Sequence, residues 1–224
     1  MPIGTLIILA NVDPADEVEF NRWYDEEHMR ERVEIPGFLA AQRYQAIETG
    51  PLEYLAMYQT QSLETFRSDF YRHALANQSD WSKRVLTTFR DPQRGVAERI
   101  AHAGYGIGRG VFLARLKPAE GREEALRETF ASSLLPHLAA QPGIVSASLL
   151  RCEAQLSRPV AEYPKGGLHL LHPEDWLVAV NGVDPARLPA DLSEKLPHRF
   201  VDRYDPIGRY ETLWSLSRSD LEFS

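Results

Sequence analysis

The sequence predicts an α+β fold in which two β-α-β-β-α-β modules pack sheet to sheet as an intramolecular barrel. Three observations predict it. The chain repeats itself: Asp13-Pro14-Ala15-Asp16-Glu17 returns as Lys117-Pro118-Ala119-Glu120-Gly121, and Ile35-Pro36-Gly37-Phe38 as Gln141-Pro142-Gly143-Ile144. Glu53-Tyr54-Leu55-Ala56-Met57 returns as Asp175-Trp176-Leu177-Val178-Ala179, and Arg90-Asp91-Pro92 as Tyr204-Asp205-Pro206. Such self-similarity fixes an architecture before any local reading. Within each copy, apolar β-type runs alternate with helical periodicity in the same order. Finally, a four-stranded sheet with helices on one face leaves its other face bare, and a second module in the same chain can bury it.

In the first copy, Gly4 to Asn11 is an apolar, β-branched run that reads as a strand. Asp13 is a suitable N-cap, Pro14 suits a first helical position, and Asp16 and Glu17 favour the positive helix end, so a helix is expected from Pro14 to about Arg32. Pro36-Gly37 then turns the chain, and Phe38 to Ile47 alternates as a half-buried strand does. Thr49-Gly50-Pro51 marks a turn before a third strand, Tyr54 to Gln59. Leu63 to about Leu86 reads as helix with a break near Asn77. Asp91-Pro92 reads as a turn, followed by a strand near Gly95 to Ala101. This order is that of a ferredoxin-like module.

A glycine-rich joint, Gly104 to Gly110, divides the chain into expected modules at 1–104 and 105–224. Strands of the second are expected near Val111–Leu116, Ile144–Cys152, Trp176–Val180 and Arg209–Ser215. The offset between copies grows from 106 at Gly37/Gly143 to 122 at Tyr54/Trp176, which places an insertion of 16 residues between the middle strands of the second copy, at about 153–172. It contains Pro159, Pro164, Gly166 and Gly167 and reads as a lid, an interface arm or a plain surface loop.

Bulk properties narrow the function. The 224 residues are 43% hydrophobic and 25% charged, enough to build a core. A net charge of -7 argues against nucleic acid as a partner, because phosphate binding needs a basic surface. No run approaches the length of a spanning helix, and the start lacks the pattern of a secretory leader. The lone Cys152 fits a reducing, cytoplasmic setting and reads as a structural strand residue. His169 and His172, with Glu174 and Asp175 nearby, are too few and too loosely spaced for a metal site, and no metal is expected.

The candidate chemistry lies on the first helix. Phe20, Trp23, Tyr24, Glu27 and His28 follow i, i+3, i+4, i+7, i+8 spacing and share one face. A cleft there would have an apolar floor and a few polar groups, the usual make-up of a small-molecule site. Imidazole titrates near neutral pH, so His28 is the natural acid or base, with Tyr24 or Glu27 to orient it. A histidine late in a helix is equally at home as a partner of the helix dipole. The second copy has Leu134 where the first has His28, and that asymmetry favours function in the first module. Arg43 and Tyr44 sit on opposite faces of their strand, and Asn11 ends the first strand; each is a candidate to line the cleft. Trp81 is expected in the core, and His73 at the surface or beside Asp69.

The stretch Phe20-Asn21-Arg22-Trp23-Tyr24-Asp25-Glu26-Glu27-His28, with Ile35-Pro36-Gly37-Phe38 and Arg43-Tyr44, resembles the dimeric α+β-barrel superfamily and, within it, the EthD-like proteins. That resemblance implies Tyr24 and His28 as functional positions. The superfamily includes cofactor-free oxygenases of quinol-like aromatics, lactone isomerases, haem degraders and haem peroxidases. The haem degraders use an Asn, a Trp and a His; Asn11, Trp81 and His73 are the right types but in the wrong order. The expectation is a protein that binds a small apolar or aromatic metabolite. It would act without a cofactor as a monooxygenase or isomerase, with His28 as acid/base and Tyr24 as hydrogen-bond donor. The alternatives are a non-catalytic ligand-binding or oligomer-assembly module and a haem-binding protein.

Overall fold

The computed structural model describes residues 3–158, 169–171 and 174–222. The elements of the first half are β1 (Gly4–Val12), α1 (Glu17–Trp23), a π turn (Tyr24–His28), α2 (Met29–Val33), β2 (Phe38–Ala46), β3 (Tyr54–Thr60), α3 (Asp69–Ala76), α4 (Asp80–Leu86) and β4 (Phe89–Gly104). The second half has β5 (Gly110–Pro118), α5 (Glu123–Thr129), a π turn (Phe130–Leu134), α6 (Leu135–Ala139), β6 (Ile144–Cys152), α7 (Ala154–Ser157), β7 (His169–Leu170), β8 (Trp176–Gly182), β9 (Val201–Ser217) and α8 (Arg218–Leu221).

Each half is a ferredoxin-like sheet, β4-β1-β3-β2 in the first and β9-β5-β8-β6 in the second, antiparallel throughout. The last strand of each half also pairs with the second strand of the other: β4 with β6 and β9 with β2. The eight strands therefore close into a ring. Period-2 alternation then sorts the side chains. Inward positions such as Ile7, Leu9, Leu55, Met57, Leu113, Leu177 and Tyr210 fill the barrel. Outward positions pack under the helices in two further clusters, one per half. Each fully buried leucine or isoleucine contributes roughly 1.5–3 kcal/mol.

Several local readings need correction. The first helix is not continuous: a π turn interrupts it, with the Met29 amide donating to the Tyr24 carbonyl five residues back. The second half repeats this with Leu135 and Phe130. Asp13 does not cap the helix; its carboxylate pairs with Arg90, and Asp16 takes the cap position. Asp91-Pro92 is not a turn between elements but lies inside β4. There Asp91 adopts φ 47° beside a register shift against β1, because a proline without an N–H fits a bulge better than a regular ladder. Asp205-Pro206 sits at a matching register shift of β9 against β5. Three short 3-10 turns (Pro185–Arg187, Ser193–Lys195, His198–Phe200) replace the second helical region of the second half. Of the insertion, α7 and β7 are described; Pro159, Pro164, Gly166, Gly167 and His172 lie outside the described residues.

Both halves place a left-handed glycine after the first helix: Gly37 at φ 94° and Gly143 at φ 87°. Their surroundings differ. A Cβ on Gly37 would lie 2.7 Å from Thr65 Oγ1, whereas one on Gly143 meets nothing nearer than Val183 Cγ2 at 3.9 Å. Gly143→Ala should therefore cost only the left-handed strain, about 1–2 kcal/mol, and Gly37→Ala clearly more. Urea unfolding of the two variants checks the order, and an equal or inverted cost would contradict this packing.

Candidate ligand-binding site

The π turn decides where the first helix points its polar residues. Its extra residue rotates the following turn, so His28 enters the core with 8% exposure while Glu27 swings toward α4. There Glu27 accepts hydrogen bonds from Ser79 (2.5 Å) and Ser82 (3.1 Å). Ser79 also caps α4, and Ser82 accepts from Trp23 Nε1 at 3.0 Å. Glu27 thus fastens α4 to the first helix instead of tuning His28. The His28 ring stacks on Trp23 at 4.0 Å between centroids and meets Tyr24 edge-on at 5.4 Å. Its Nδ1 is buried without a hydrogen-bond partner.

Beside His28 lies a cavity of about 30 Å³ between the helices and the outer face of the sheet. Trp23, Tyr24, His28 and Arg32 form its helix wall, and Tyr58 of β3 and Arg94 of β4 rise from the sheet. Leu75 of α3, Gln78 and Leu86 of α4 close it from outside. Its volume admits about two water molecules, far below the usual volume of a small-molecule site. A ligand must therefore displace α3 and α4, whose hold on the first helix includes the Glu27–Ser79–Ser82 cluster.

The cavity is electropositive. Arg32 is 4% exposed and makes no side-chain hydrogen bond or close ion pair among the described residues; the neighbouring half-buried Glu31 carboxylate feels its charge. Arg94 is also buried and, among the described residues, bonds neutral oxygens only: the Leu156 carbonyl (2.7 Å), the Arg158 carbonyl (3.4 Å) and the Tyr71 hydroxyl (3.1 Å). No carboxylate lines the cavity among the described residues. Burial holds the His28 pKa well below its ordinary value, and the charges of Arg32 and Arg43 push it further down, so the imidazole is neutral. Burial likewise raises the Tyr58 hydroxyl well above its usual range, keeping it protonated.

The candidates read from sequence separate into two groups. Trp23, Tyr24 and His28 meet at the cavity. Arg43, 2% exposed, lies under the first helix with its guanidinium 4.3 Å from the Tyr24 ring, bonded to Asn21 and Asp25. It supports Tyr24 and shifts His28 without lining the cavity. Tyr44 alternates to the barrel interior, and the Asn11 amide bonds the backbone of Pro51 and Glu53. Trp81 packs on the core as expected; the exposed His73 contacts Asn77, while Asp69 pairs with Arg72. Cys152 is buried, with its thiol pushed up to about 12, as an unreactive strand residue should be.

Arg32, Tyr58 and Arg94 were missed. Arg32 follows His28 by one turn, and Tyr58 shares a strand face with Tyr54, so both carried a local signal. The repeat also marks them. At the corresponding positions of the second half stand Leu134 for His28, Leu138 for Arg32, Val180 for Tyr58 and Gly208 for Arg94. The π turn belongs to both halves; the polar set belongs to the first alone.

No protein-family model matches the sequence, and no curated protein is similar enough to it to count as a relative. Solved structures share its fold. An anthrone oxidase-like protein superposes with a TM-score of 0.61 at 12% identity, covering 97% of this chain and 93% of that one. A candidate monooxygenase from Lactobacillus acidophilus NCFM gives 0.60 at 13% identity over 97% and 99%. A candidate chlorite dismutase gives 0.57 at 11% identity over 99% and 98%. At these identities the likeness establishes the fold, a two-module α+β barrel.

A buried neutral histidine makes stability depend on pH. The unfolded chain takes up a proton on His28 below about pH 6.5 and the folded chain resists it, so folding is weakened as pH falls. His28→Leu, the residue of the second half, should remove up to about 1.4 kcal/mol per pH unit of that loss below pH 6.5. Urea unfolding of both proteins between pH 7.5 and 5 tests this; parallel curves would show that His28 titrates normally in the fold.

Proposed function

We propose that the chain binds an acidic aromatic molecule, a hydroxy-aromatic or aromatic acid, between the first helix and the outer sheet face, and that His28 acts there as a base. The observation that carries this reading is a neutral imidazole, its Nδ1 unpartnered, beside a buried arginine that makes no close ion pair among the described residues, in an aromatic cavity. Burial of a cation is costly, and an anionic ligand would offset part of that cost. Transfer of an acidic substrate proton to His28 would leave an anion that Arg32 and Arg94 hold, with Tyr24 and Tyr58 as hydroxyl donors. Return of the proton at another atom isomerises the substrate; reaction of the electron-rich anion with dioxygen oxygenates it. The likeness to an anthrone oxidase-like protein fits the second outcome.

The test is a thermal-shift panel of quinols, hydroxy-aromatic acids and lactones against wild type, His28→Ala and Arg32→Leu, followed by turnover of any hit in air and under argon. A ligand of the folded state raises the midpoint by mass action. Hits should bind about tenfold to a hundredfold more weakly to Arg32→Leu, the range expected for loss of a charged hydrogen bond. Arg32→Leu should match or exceed wild type in stability without ligand, since replacing a buried charge that makes no close ion pair by an apolar side chain is often neutral or stabilising. Turnover lost in His28→Ala and dependent on air identifies an oxygenase; turnover under argon identifies an isomerase. Ligands that bind all three proteins equally would place the site elsewhere.

Glu27→Gln should weaken the anchoring of α4. Amide exchange across residues 69–86 should then speed up while exchange in β1 and β3 is unchanged; uniform exchange throughout would show that Glu27 does not hold this cover.

A further inference from the structure

We propose a second small-anion site at one mouth of the barrel, built from both halves and suited to a carboxylate of formate or acetate size. The barrel interior is apolar through most of its length, but at one end its inward positions turn polar. Thr5 of β1, Gln42 of β2, Gln59 of β3, Arg99 of β4, Ser148 of β6 and Asn181 of β8 surround a cavity of about 40 Å³ there. That is room for about three waters, or for one small oxyanion. Ile107 stands at its rim with 43% exposure, so the cavity is reachable from solvent.

The chemistry of the lining points to negative charge. No carboxylate belongs to it among the described residues, in a chain whose net charge is -7. Arg99 has no ion-pair partner among the described residues. Burial alone lowers its pKa, with no opposing carboxylate contributing. Burial, and after it the charge of Arg99, lower the pKa of His102, whose ring bonds Ser148 at 2.9 Å. The side chains of Gln42, on a residue 3% exposed, and of the half-buried Asn181 make no hydrogen bond within the described structure. Two amides facing one small cavity beside a half-buried guanidinium with no ion-pair partner among the described residues form a donor set suited to an anionic acceptor.

The other end of the barrel provides the contrast. Inward positions of β8 run from Leu177 through Ala179 to Asn181, and Asp175 precedes the strand at the far end. There Asp175, 1% exposed, accepts from Arg203 at 2.6 Å and lies 3.6 Å from Arg115 Nε. That end supplies its own carboxylate; among the described residues, the Arg99 end does not. A bound carboxylate would take the place at Arg99 that Asp175 takes at Arg115.

The site is independent of His28, which lies outside the barrel on the opposite sheet face. The experiment is a thermal titration with sodium formate and sodium acetate, each exchanged against sodium chloride at constant ionic strength, for wild type, Arg99→Gln, Gln42→Leu and His28→Leu. Wild type and His28→Leu should gain roughly 3–5 °C in Tm per tenfold excess of formate over its Kd. Arg99→Gln and Gln42→Leu should gain little. Circular dichroism at the start of each melt identifies folded variants, and Gln42→Leu, which replaces an amide that bonds no other group of the described structure by an apolar side chain at an interior position, should fold even if Arg99→Gln does not. Equal gains in all four proteins would reveal a general salt effect and overturn the site. No gain in wild type would overturn it as well, and a gain lost only in His28→Leu would place the anion at the first cavity.

Discussion

The pairing of β9 with β2 and of β4 with β6 is the constraint on which the rest of the molecule depends. A lone ferredoxin-like sheet presents two edges and one uncovered apolar face. Exchange of the last strands joins four edges at two seams and wraps both bare faces around a common interior. Residues such as Ile7, Leu9, Leu113 and Leu177 are buried only because the ring closes. Tyr210 shows how tightly the halves are joined: it fills the shared interior and donates its hydroxyl to the Leu52 carbonyl of the other half at 3.1 Å.

Closure also fixes what each sheet face can do. The inner face is committed to packing except at its mouth, so a site for a larger ligand has to form outside, between sheet and helices. Both halves bend the covering helix with a π turn, yet only the first carries ionisable side chains at the positions of His28, Arg32, Tyr58 and Arg94. The second half fills the same positions with Leu134, Leu138 and Val180. The first half therefore accepts burial of His28, Arg32 and Arg94 where the second gains plain hydrophobic packing. Such a loss is tolerated when the buried groups serve a ligand.

Much of the fold was legible in the chain. The repeat, the two Pro-Gly turns, the break near Asn77 and the alternation of the strands led to the right element order and to the sheet-to-sheet barrel. The misreadings share one cause: local signals were overridden by partners distant in sequence. Asp13 looks like a cap but meets Arg90; Asp91-Pro92 looks like a turn but bulges a long strand paired with β1. For the candidate cavity, the helix stripe named three of the residues that line it, Trp23, Tyr24 and His28. The π turn, invisible to a 3.6-residue period, removed Glu27 from that face and brought Arg32 in.

The sequence by itself determined the duplicated architecture and the departure of the second copy from the first at His28, because repeat spacing and periodicity are local properties that survive without a structure. Only the tertiary structure decided the electrostatics. Whether an arginine is paired, whether an imidazole is neutral and whether an amide is satisfied depend on what lies across the space between elements. In this chain, α3, α4 and the far ends of β3 and β4 decide it around His28, and strands of both halves decide it around Arg99.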